Sequence, residues 1–419
     1  MNQFFDILSI FSFLIFIFII FSNLEEGILF GILIKPLIDT SWDINFGGLR
    51  VIEAFTVLFL IFAIIYCFRN REKILNDKLL TLFWIIAHLG IVFQFVISPM
   101  DAMKSLMKML YLPLSIVLLP YLLLKTDYSV RVKLIKYIIF GSLFSALISI
   151  FQFIGLIPHE YAHMSKGLQR SNGFYHDMVT SRIYIMQGLL ALAFIKITEV
   201  VKFKPLISWL ILLIFVFSGY TLFSKALIGM FLIGLLLIVF TLKQKSQNYA
   251  IGVFLFFLFL STNLDSVVNT TSTLFLTEIE YQEGELDNSG QLLSGRGSVW
   301  EEHLHFFSSV STLEQFFGTG NNTGNTHNEF LRILVLTGLL GIAFYALFVV
   351  RIIYLSFKTI RRSMFFLSSF AFSMLIIDIV GVVWGLYPFY LLIIFGFFIV
   401  SIQYNEEEFN DYLEEEERL

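Results

Sequence analysis

Long apolar stretches separated by short polar breaks follow one another along almost the whole chain, from residue 5 to residue 402. A bilayer core about 30 Å thick is crossed by about 20 apolar residues in a helix. The pattern therefore predicts an all-α, polytopic membrane protein with about twelve spans, which form one transmembrane domain over 1–402. We place the spans near 5–22, 50–68, 78–98, 104–124, 137–157, 179–199, 204–220, 221–242, 249–265, 328–350, 362–381 and 384–402.

Composition agrees with this pattern. Of the 419 residues, 57% are hydrophobic, only 14% are charged and 50 are phenylalanine, which is far from the balance of a soluble domain. The first apolar stretch has neither a basic region before it nor a small-residue cleavage site, so we expect a retained span. The net charge is −4, and the acidic segment 403–419 reads as a solvated cytoplasmic tail, so nothing indicates nucleic acid. Cys67 is the single cysteine, which excludes an internal disulfide.

Basic clusters occur at alternate connections between the predicted spans, near 68–73, 125–136, 196–204, 243–245 and 358–362. The positive-inside rule puts these connections in the cytoplasm, which predicts that both termini are cytoplasmic. The segment 27–39 is too short and too interrupted for a span, and we interpret it as re-entrant or interfacial. Two external loops then remain, 158–178 and the long loop 266–327.

The long external loop holds eight acidic residues and a single basic one, Arg296. The arginine lies in SGRGSVW, where Gly295 and Gly297 allow unusual backbone angles and the close approach of a ligand. Two interpretations stay open. Arg296 either pairs with Glu301 or Glu302 within a turn, or it binds an anion.

Further basic residues lie at the predicted outer ends of helices, against the usual bias toward the cytoplasmic side. Ionisable residues at membrane depth are functional candidates, and several from different spans would form a site for a multiply charged anion such as a lipid pyrophosphate. The alternative is that each side chain reaches to the lipid headgroups. The candidates are Lys104, Lys108, Arg170, Arg182 and Lys225, with Arg50 as a further cation of this kind.

The stretch NTHNEFLRILVLTGLLG, residues 325–341, places a histidine at the start of a predicted span. Asn325 or Thr326 would cap a helix that begins near His327. On one continuous helix the histidine would share a face with Gly338 and Gly341, and these glycines would allow close packing of a neighbouring helix. A neutral imidazole there could accept a proton from an attacking hydroxyl, or simply form a hydrogen bond at the interface.

Other chemistries find little support. In EEHLHF, His303 and His305 are two residues apart and would point in different directions on a helix, so we predict no metal site. Motifs of nucleotide-binding proteins, serine hydrolases and zinc proteases do not occur. We therefore expect no cofactor and no nucleotide donor.

Taken together, these stretches resemble the bacterial O-antigen polymerase and O-antigen ligase superfamily. Its His-Asn signature with two later glycines is matched by His327, Asn328, Leu331, Gly338 and Gly341, after the small-residue run 316–320. The remaining matches are Arg296 with Trp300 in the long loop, Arg170, Gly173, Phe174 and His176 in the smaller loop, and Ser224 with Lys225 at a helix hairpin. The family's proline and asparagine after the histidine are here Asp177 and Met178, and its second hairpin residue, an arginine, is Lys225.

The resemblance implies a GT-C-like membrane glycosyltransferase that uses glycans linked to undecaprenyl pyrophosphate on the periplasmic face. Arg296, Arg170 and Lys225 would then neutralise the pyrophosphate, and His327 would orient or deprotonate the acceptor hydroxyl. His176, Asn328, Lys104, Lys108 and Arg182 are further candidates for binding the substrate. The implied partners are the lipid-linked oligosaccharide, membrane lipids, a flippase and a chain-length regulator.

Within that superfamily we expect a polymerase, which extends a lipid-linked repeat unit, and a ligase that transfers the chain to lipid A core is the alternative. Twelve spans with intramembrane charges also fit a polysaccharide flippase. A regulator that only binds the glycan would have fewer spans and long coiled-coil segments.

Overall fold

The structure is a computed structural model that describes residues 2–46, 48–70, 110–159, 164–165, 168–241, 292–320, 328–359, 364–381, 389 and 391–404, with isolated positions between 95 and 107 and between 269 and 280. Of the predicted spans, 249–265 lies outside the described residues and 78–98 lies almost entirely outside them. Most of the long loop 266–327 before residue 292, and the tail from residue 405, also lie outside.

The described part is helical apart from two short antiparallel hairpins. The helices are α1 (Asn2–Ser22), α2 (Leu24–Ile38), α3 (Val51–Arg69), α4 (Tyr111–Leu124), α5 (Tyr128–Phe153), α6 (Met178–Thr198), α7 (Pro205–Thr221), α8 (Lys225–Thr241), α9 (Leu292–Ser309), α10 (Thr312–Phe317), α11 (Glu329–Lys358), α12 (Phe365–Gly381) and α13 (Gly396–Gln403). A 3-10 turn, Asp39–Ser41, follows α2, and a π-helical turn, Leu391–Phe395, precedes α13. The strands are β1 (Asn45–Phe46) with β2 (Leu49–Arg50), and β3 (Met164–Ser165) with β4 (Leu168–Gln169).

Five of the described helices are long and apolar enough to cross a membrane: Phe4–Ser22, Val51–Arg69, Tyr128–Phe153, Met178–Thr198 and Glu329–Lys358. Shorter apolar helices pack among them, including α4, α7 and the first part of α8. The prediction of an all-α membrane protein is therefore confirmed. The count of twelve spans stays a prediction.

The segment interpreted as re-entrant or interfacial belongs to a largely buried helix, α2, and its relation to the membrane stays a prediction. α2 follows α1 after a single residue, Asn23, whose side chain caps α2 by accepting from the backbone N–H of Glu26 at 3.1 Å. The two helices run antiparallel, because Gly27 lies against Ile20 and Gly31 lies against Phe16. A Cβ atom at position 27 would be 2.4 Å from the Cα of Ile20, so only glycine permits this tight hairpin.

Hydrogen bonds define two ends of the helical bundle. At one end, which we call the basic end, the start of α2 meets the start of α5, where Lys133 donates to Glu26 at 2.6 Å. The end of α3 reaches the same place, because the Tyr66 hydroxyl donates to Glu25 at 2.6 Å. At the opposite end, which we call the loop end, the connection between α5 and α6 meets the α7–α8 turn through Ser171 N–H and the Thr221 carbonyl, at 3.2 Å.

Small polar side chains line the contact between α5 and α6. The hydroxyl of Ser181 lies 3.1 Å from that of Ser149 and 3.3 Å from that of Ser145, and all three side chains are buried. Small residues allow membrane helices to approach closely, and their hydroxyls find partners across the interface. This contact fixes α6, and with it the loop end of the bundle, against α5.

α11 is not one continuous helix. Gly338 has φ 69° and ψ −170°, a conformation essentially restricted to glycine, and it interrupts the helix. The break is filled by the run that follows α10: Thr319 N–H donates to the Val335 carbonyl at 2.9 Å, and Gly320 N–H donates to the Leu336 carbonyl at 3.2 Å. The predicted single stripe from His327 to the two glycines is therefore wrong, because the chain changes direction at Gly338.

Candidate functional site

The sequence-predicted site residues divide into those that the structure describes and those that it does not. Arg170, His176, Arg182, Lys225, Arg296 and Asn328 are described. His327, Lys104 and Lys108 lie outside the described residues, and their roles stay predictions.

Arg296 lies in a helix and not in a turn. The stretch SGRGSVW forms the first half of α9, so its two glycines have helical backbone angles. Glu301 and Glu302 are exposed, and five or six residues along a helix place a side chain on another face. No described carboxylate forms an ion pair with Arg296, so the interpretation as a loop ion pair is not supported within the described residues.

Arg296 and Arg182 come together from distant parts of the chain. Burial lowers the pKa of Arg296, and the positive charge of the neighbouring Arg182 lowers it further. Arg182 is in the first two turns of α6 and is only 5% exposed. Two neighbouring guanidinium groups that remain protonated when they are buried repel each other, and a bound anion would relieve that repulsion.

Arg170 lies at the loop end, just before α6. Burial lowers the pKa of its guanidinium group, and its Nε atom is buried without a hydrogen-bond partner. The next residue, Ser171, bonds the α7–α8 turn through its backbone, and its own hydroxyl is also buried without a partner. Buried donors are normally satisfied, so this part of the site offers unused hydrogen bonds to a ligand.

The α7–α8 turn carries Ser224 and Lys225. Phe223 has a positive φ of 44°, which is unusual for a residue with a side chain, and the turn reverses the chain within three residues. Ser224 is 2% exposed with an unsatisfied hydroxyl, and Lys225 is the first residue of α8. The backbone bond from Ser171 connects this hairpin to the segment that contains Arg170.

The loop from Ser171 to Asp177 is fixed by side chains that the sequence did not single out. Gln152 of α5 brackets Gly173, accepting from its N–H and donating to its carbonyl at 2.8 Å each. The ring of His176 lies 4.4 Å from that of Trp42, in an edge arrangement. Asp177 caps α6 by accepting from the Thr180 N–H at 2.8 Å.

Asn328, and not Asn325 or Thr326, caps α11. Its side chain accepts from the backbone N–H groups of Phe330 at 3.0 Å and Leu331 at 3.3 Å, and the helix begins at Glu329. The predicted cap position was therefore wrong by two or three residues. Its side-chain oxygen is occupied by the cap, so a direct role in substrate binding finds no support here.

A buried ion pair follows this cap and was missed by the sequence reasoning. Glu329 and Arg332, one turn apart in α11, are 1% and 3% exposed, and Arg332 Nε donates to the carboxylate at 2.9 Å. The signal was an acidic and a basic residue three positions apart at the start of an otherwise apolar run. The pair satisfies itself, so it does not add a free cation to the site.

The glycines of the predicted packing motif have different surroundings from those expected. A Cβ atom at Gly338 would lie 2.4 Å from the Phe316 carbonyl oxygen, and one at Gly318 would lie 2.2 Å from the Leu336 carbonyl oxygen. The close approach is therefore made by the backbone at the end of α10 and by the residues that follow it. At Gly341 the nearest atom would be the Thr337 hydroxyl of the same helix, at 1.8 Å.

Among the described residues, no group of three or more histidine, cysteine, aspartate or glutamate side chains could hold a metal ion. His303 and His305 are both on α9, and His305 is exposed.

Comparison with known proteins adds no identification. No protein-family model matches the chain, and no curated protein matches it. The resemblance described above therefore stays a prediction that depends on the residues quoted for it.

Proposed function

We propose that the protein is a membrane glycosyltransferase of the polymerase type, which transfers a glycan from undecaprenyl pyrophosphate to a sugar hydroxyl of a lipid-linked repeat unit. The observation that supports it best is the approach of Arg296 and Arg182, two cations from separate elements, with no described carboxylate paired to Arg296. A pyrophosphate would neutralise these two cations, because guanidinium groups bind phosphate oxygens in a bidentate manner.

The chemistry divides between the two substrates. Pyrophosphate leaves as a stabilised anion, so cations at its oxygens favour bond cleavage more than a general acid would. Arg296, Arg182 and Arg170 are proposed to provide these contacts, with Lys225 and the Ser224 hydroxyl next to them. The acceptor hydroxyl needs a base, and the resemblance assigns that role to His327.

Orientation follows from the two ends of the bundle. The basic end is proposed to face the cytoplasm, because it collects lysines and arginines such as Lys133, and the loop end then faces the periplasm. α2 returns antiparallel to α1, so the N-terminus comes to the loop end and is proposed to be periplasmic, in contrast to the expectation of two cytoplasmic termini. Phe389 lies 6.3 Å, between ring centroids, from Tyr111 at the start of α4, and Gly396 packs on Leu119 further along α4. The last described residue, Tyr404, is therefore proposed to lie toward the cytoplasmic end.

A polysaccharide flippase is the competing class, and the interrupted α11 is a feature that carriers share. In carriers, the carbonyl groups freed by such a break coordinate the coupling ion. Here the Val335 and Leu336 carbonyls accept from Thr319 and Gly320 instead. The break is therefore occupied by the protein's own backbone, which favours the transferase over the carrier.

The test is a reconstitution with one substrate. The purified protein in nanodiscs receives the lipid-pyrophosphate repeat unit alone, and the products are separated by size. A ladder of lengthening lipid-linked glycans is expected, and Arg296→Gln at equal abundance serves as the matched control that should not form it. If the substrate stays unchanged alone but is consumed when lipid A core is added, the protein is a ligase. No product under either condition would refute the transferase.

A further inference from the structure

A buried ion pair terminates α2 at the loop end. Lys35 and Asp39, one helical turn apart, form a salt bridge in which the side chains are 6% and 13% exposed. The surroundings are apolar and aromatic, since the Lys35 ammonium lies 5.5 Å from the ring centroid of Phe389 and 6.0 Å from that of Phe55. A buried ion pair is weak support for a fold, so its presence here calls for a functional reason.

The second oxygen of Asp39 connects α2 to α6. It accepts a hydrogen bond from the hydroxyl of Tyr184, which is two residues after Arg182 on α6. The carboxylate therefore uses one oxygen for Lys35 and the other for Tyr184. Because hydrogen bonds to a charged acceptor are stronger than neutral ones, this contact fixes the start of α6 relative to the end of α2.

Tyr184 in turn contacts the loop that follows Arg170. Its ring lies 5.7 Å from the ring of Tyr175, which is 1% exposed. The Tyr175 hydroxyl donates to the Pro36 carbonyl at 3.0 Å. This carbonyl is in the last turn of α2, so the hydrogen bond connects the loop to the end of that helix.

The residues after α2 contact the same loop again. Trp42 lies against His176, and Phe5 at the start of α1 lies 4.6 Å, between ring centroids, from Phe174. The loop therefore has three successive aromatic contacts with the first 42 residues of the chain. No candidate site residue had been predicted among these 42 residues.

We propose that Asp39 is a positioning residue, which holds the Ser171–Asp177 loop and the start of α6 so that Arg170, His176 and Arg182 face one ligand. The proposal rests on the proposed function for the identity of that ligand, a lipid pyrophosphate. Asp39 does not touch the ligand. It acts through Tyr184 and Tyr175.

The first readout does not depend on activity. Trypsin cleaves after Arg170, directly before the loop, so the rate of cleavage there in detergent micelles reports how firmly the loop is held. Asp39→Asn keeps an acceptor but removes the charge, and we expect cleavage in this loop to become about tenfold faster, as the loss of one charge-assisted hydrogen bond implies. Cleavage near Lys202, at the basic end, is the internal reference and should not change.

A double variant separates positioning from simple stability. Lys35→Met with Asp39→Leu removes both charges, and such apolar replacements of buried pairs are often neutral for folding. It still removes the acceptor of Tyr184, so loop cleavage should remain about tenfold faster than in the wild type. Wild-type cleavage in this folded double variant would overturn the proposal.

The matched control is Glu26→Gln, which breaks an ion pair at the other end of α2. Its partner Lys133 is on α5, and the two side chains are 39% and 37% exposed. This variant should leave loop cleavage at the wild-type rate, and an equal acceleration would overturn the proposal by showing that any weakening of α2 loosens the loop.

The second readout is binding of undecaprenyl pyrophosphate in nanodiscs, where the Asp39 variants should bind about tenfold more weakly than wild type and Glu26→Gln should not. If loop cleavage changes as expected but the wild type does not bind this lipid, the proposed function fails and the positioning role stands. Normal binding by variants with a loosened loop would overturn the link between position and ligand.

Discussion

The break in α11 allows a quantitative prediction, for Gly338→Ala. The backbone at Gly338 has φ 69° and ψ −170°, where a residue with a side chain is strained by about 1–3 kcal/mol. The added Cβ would also be 2.4 Å from the Phe316 carbonyl oxygen and 2.5 Å from the Gly318 nitrogen. Both contacts are with backbone atoms, so the end of α10 and the residues that follow it must move.

That movement would break the two backbone hydrogen bonds that fill the helix interruption, from Thr319 to Val335 at 2.9 Å and from Gly320 to Leu336 at 3.2 Å. Each contributes about 0.5–1.5 kcal/mol net. Together with the strain, the free energy of unfolding should fall by about 2–6 kcal/mol.

The assay is thermal unfolding in detergent, followed by tryptophan fluorescence, with Gly229→Ala as the matched control. Gly229 is a helical glycine of α8, and among the described residues no heavy atom outside its own helix backbone and chain neighbours lies within 4 Å of its ideal Cβ position. Alanine there should stabilise the helix by about 0.5–1 kcal/mol. If Gly338→Ala unfolds at the wild-type temperature, the interruption of α11 and its filling by the run 316–320 are wrong.

Three further predictions concern the site and its supports. Arg296→Gln should lower turnover at least about a hundredfold, by analogy with the loss of one preorganised hydrogen-bond donor. Arg296→Lys should retain part of the wild-type turnover, because lysine keeps the charge but lacks the bidentate geometry. Equal turnover by all three proteins, each at normal membrane abundance, would remove Arg296 from the site. Asn328→Ala should lower stability by about 1 kcal/mol through loss of the cap, measured as a shift in thermal unfolding, while Asn328→Asp should retain most of it; a neutral alanine would contradict the capping role. Hydrogen bonds from Ser311 lower the pKa of the Glu314 carboxylate. Acidification below the ordinary pKa of glutamate should therefore lower the stability of this exposed cap in the wild type, and it should do so less in Glu314→Ala. The same pH dependence of stability in both proteins would contradict this prediction.

The fold class was predictable because a bilayer imposes a length and a polarity on each span, and both can be read from composition along the chain. The helix α2 was not, because Glu25, Glu26, Lys35 and Pro36 reduce the apolar run. The three charged side chains find partners only in the folded bundle, where they interact with Tyr66, Lys133 and Asp39. A hydropathy pattern contains no information about such partners.

The site was predictable to the extent that it consists of charges in an apolar sequence. Arg182 and Arg170 were identified as candidates on that ground, and Arg296 as the single basic residue of an acidic loop. In the structure, the positive charge of Arg182 acts on Arg296. The helical state of SGRGSVW was not predictable, because two glycines favour a turn when only local preference is considered. The interruption at Gly338 was not predictable either, since it depends on a backbone segment about 20 residues earlier in the chain.

The central claim is that the loop end of the bundle binds a lipid pyrophosphate through its arginines. The most direct measurement is the dissociation constant of the protein in nanodiscs for undecaprenyl pyrophosphate, compared with undecaprenol, for wild type and Arg296→Gln. The account predicts that wild type binds the pyrophosphate at least tenfold more tightly than the alcohol and that Arg296→Gln loses most of this preference. Equal affinity of the wild type for the two lipids would contradict it.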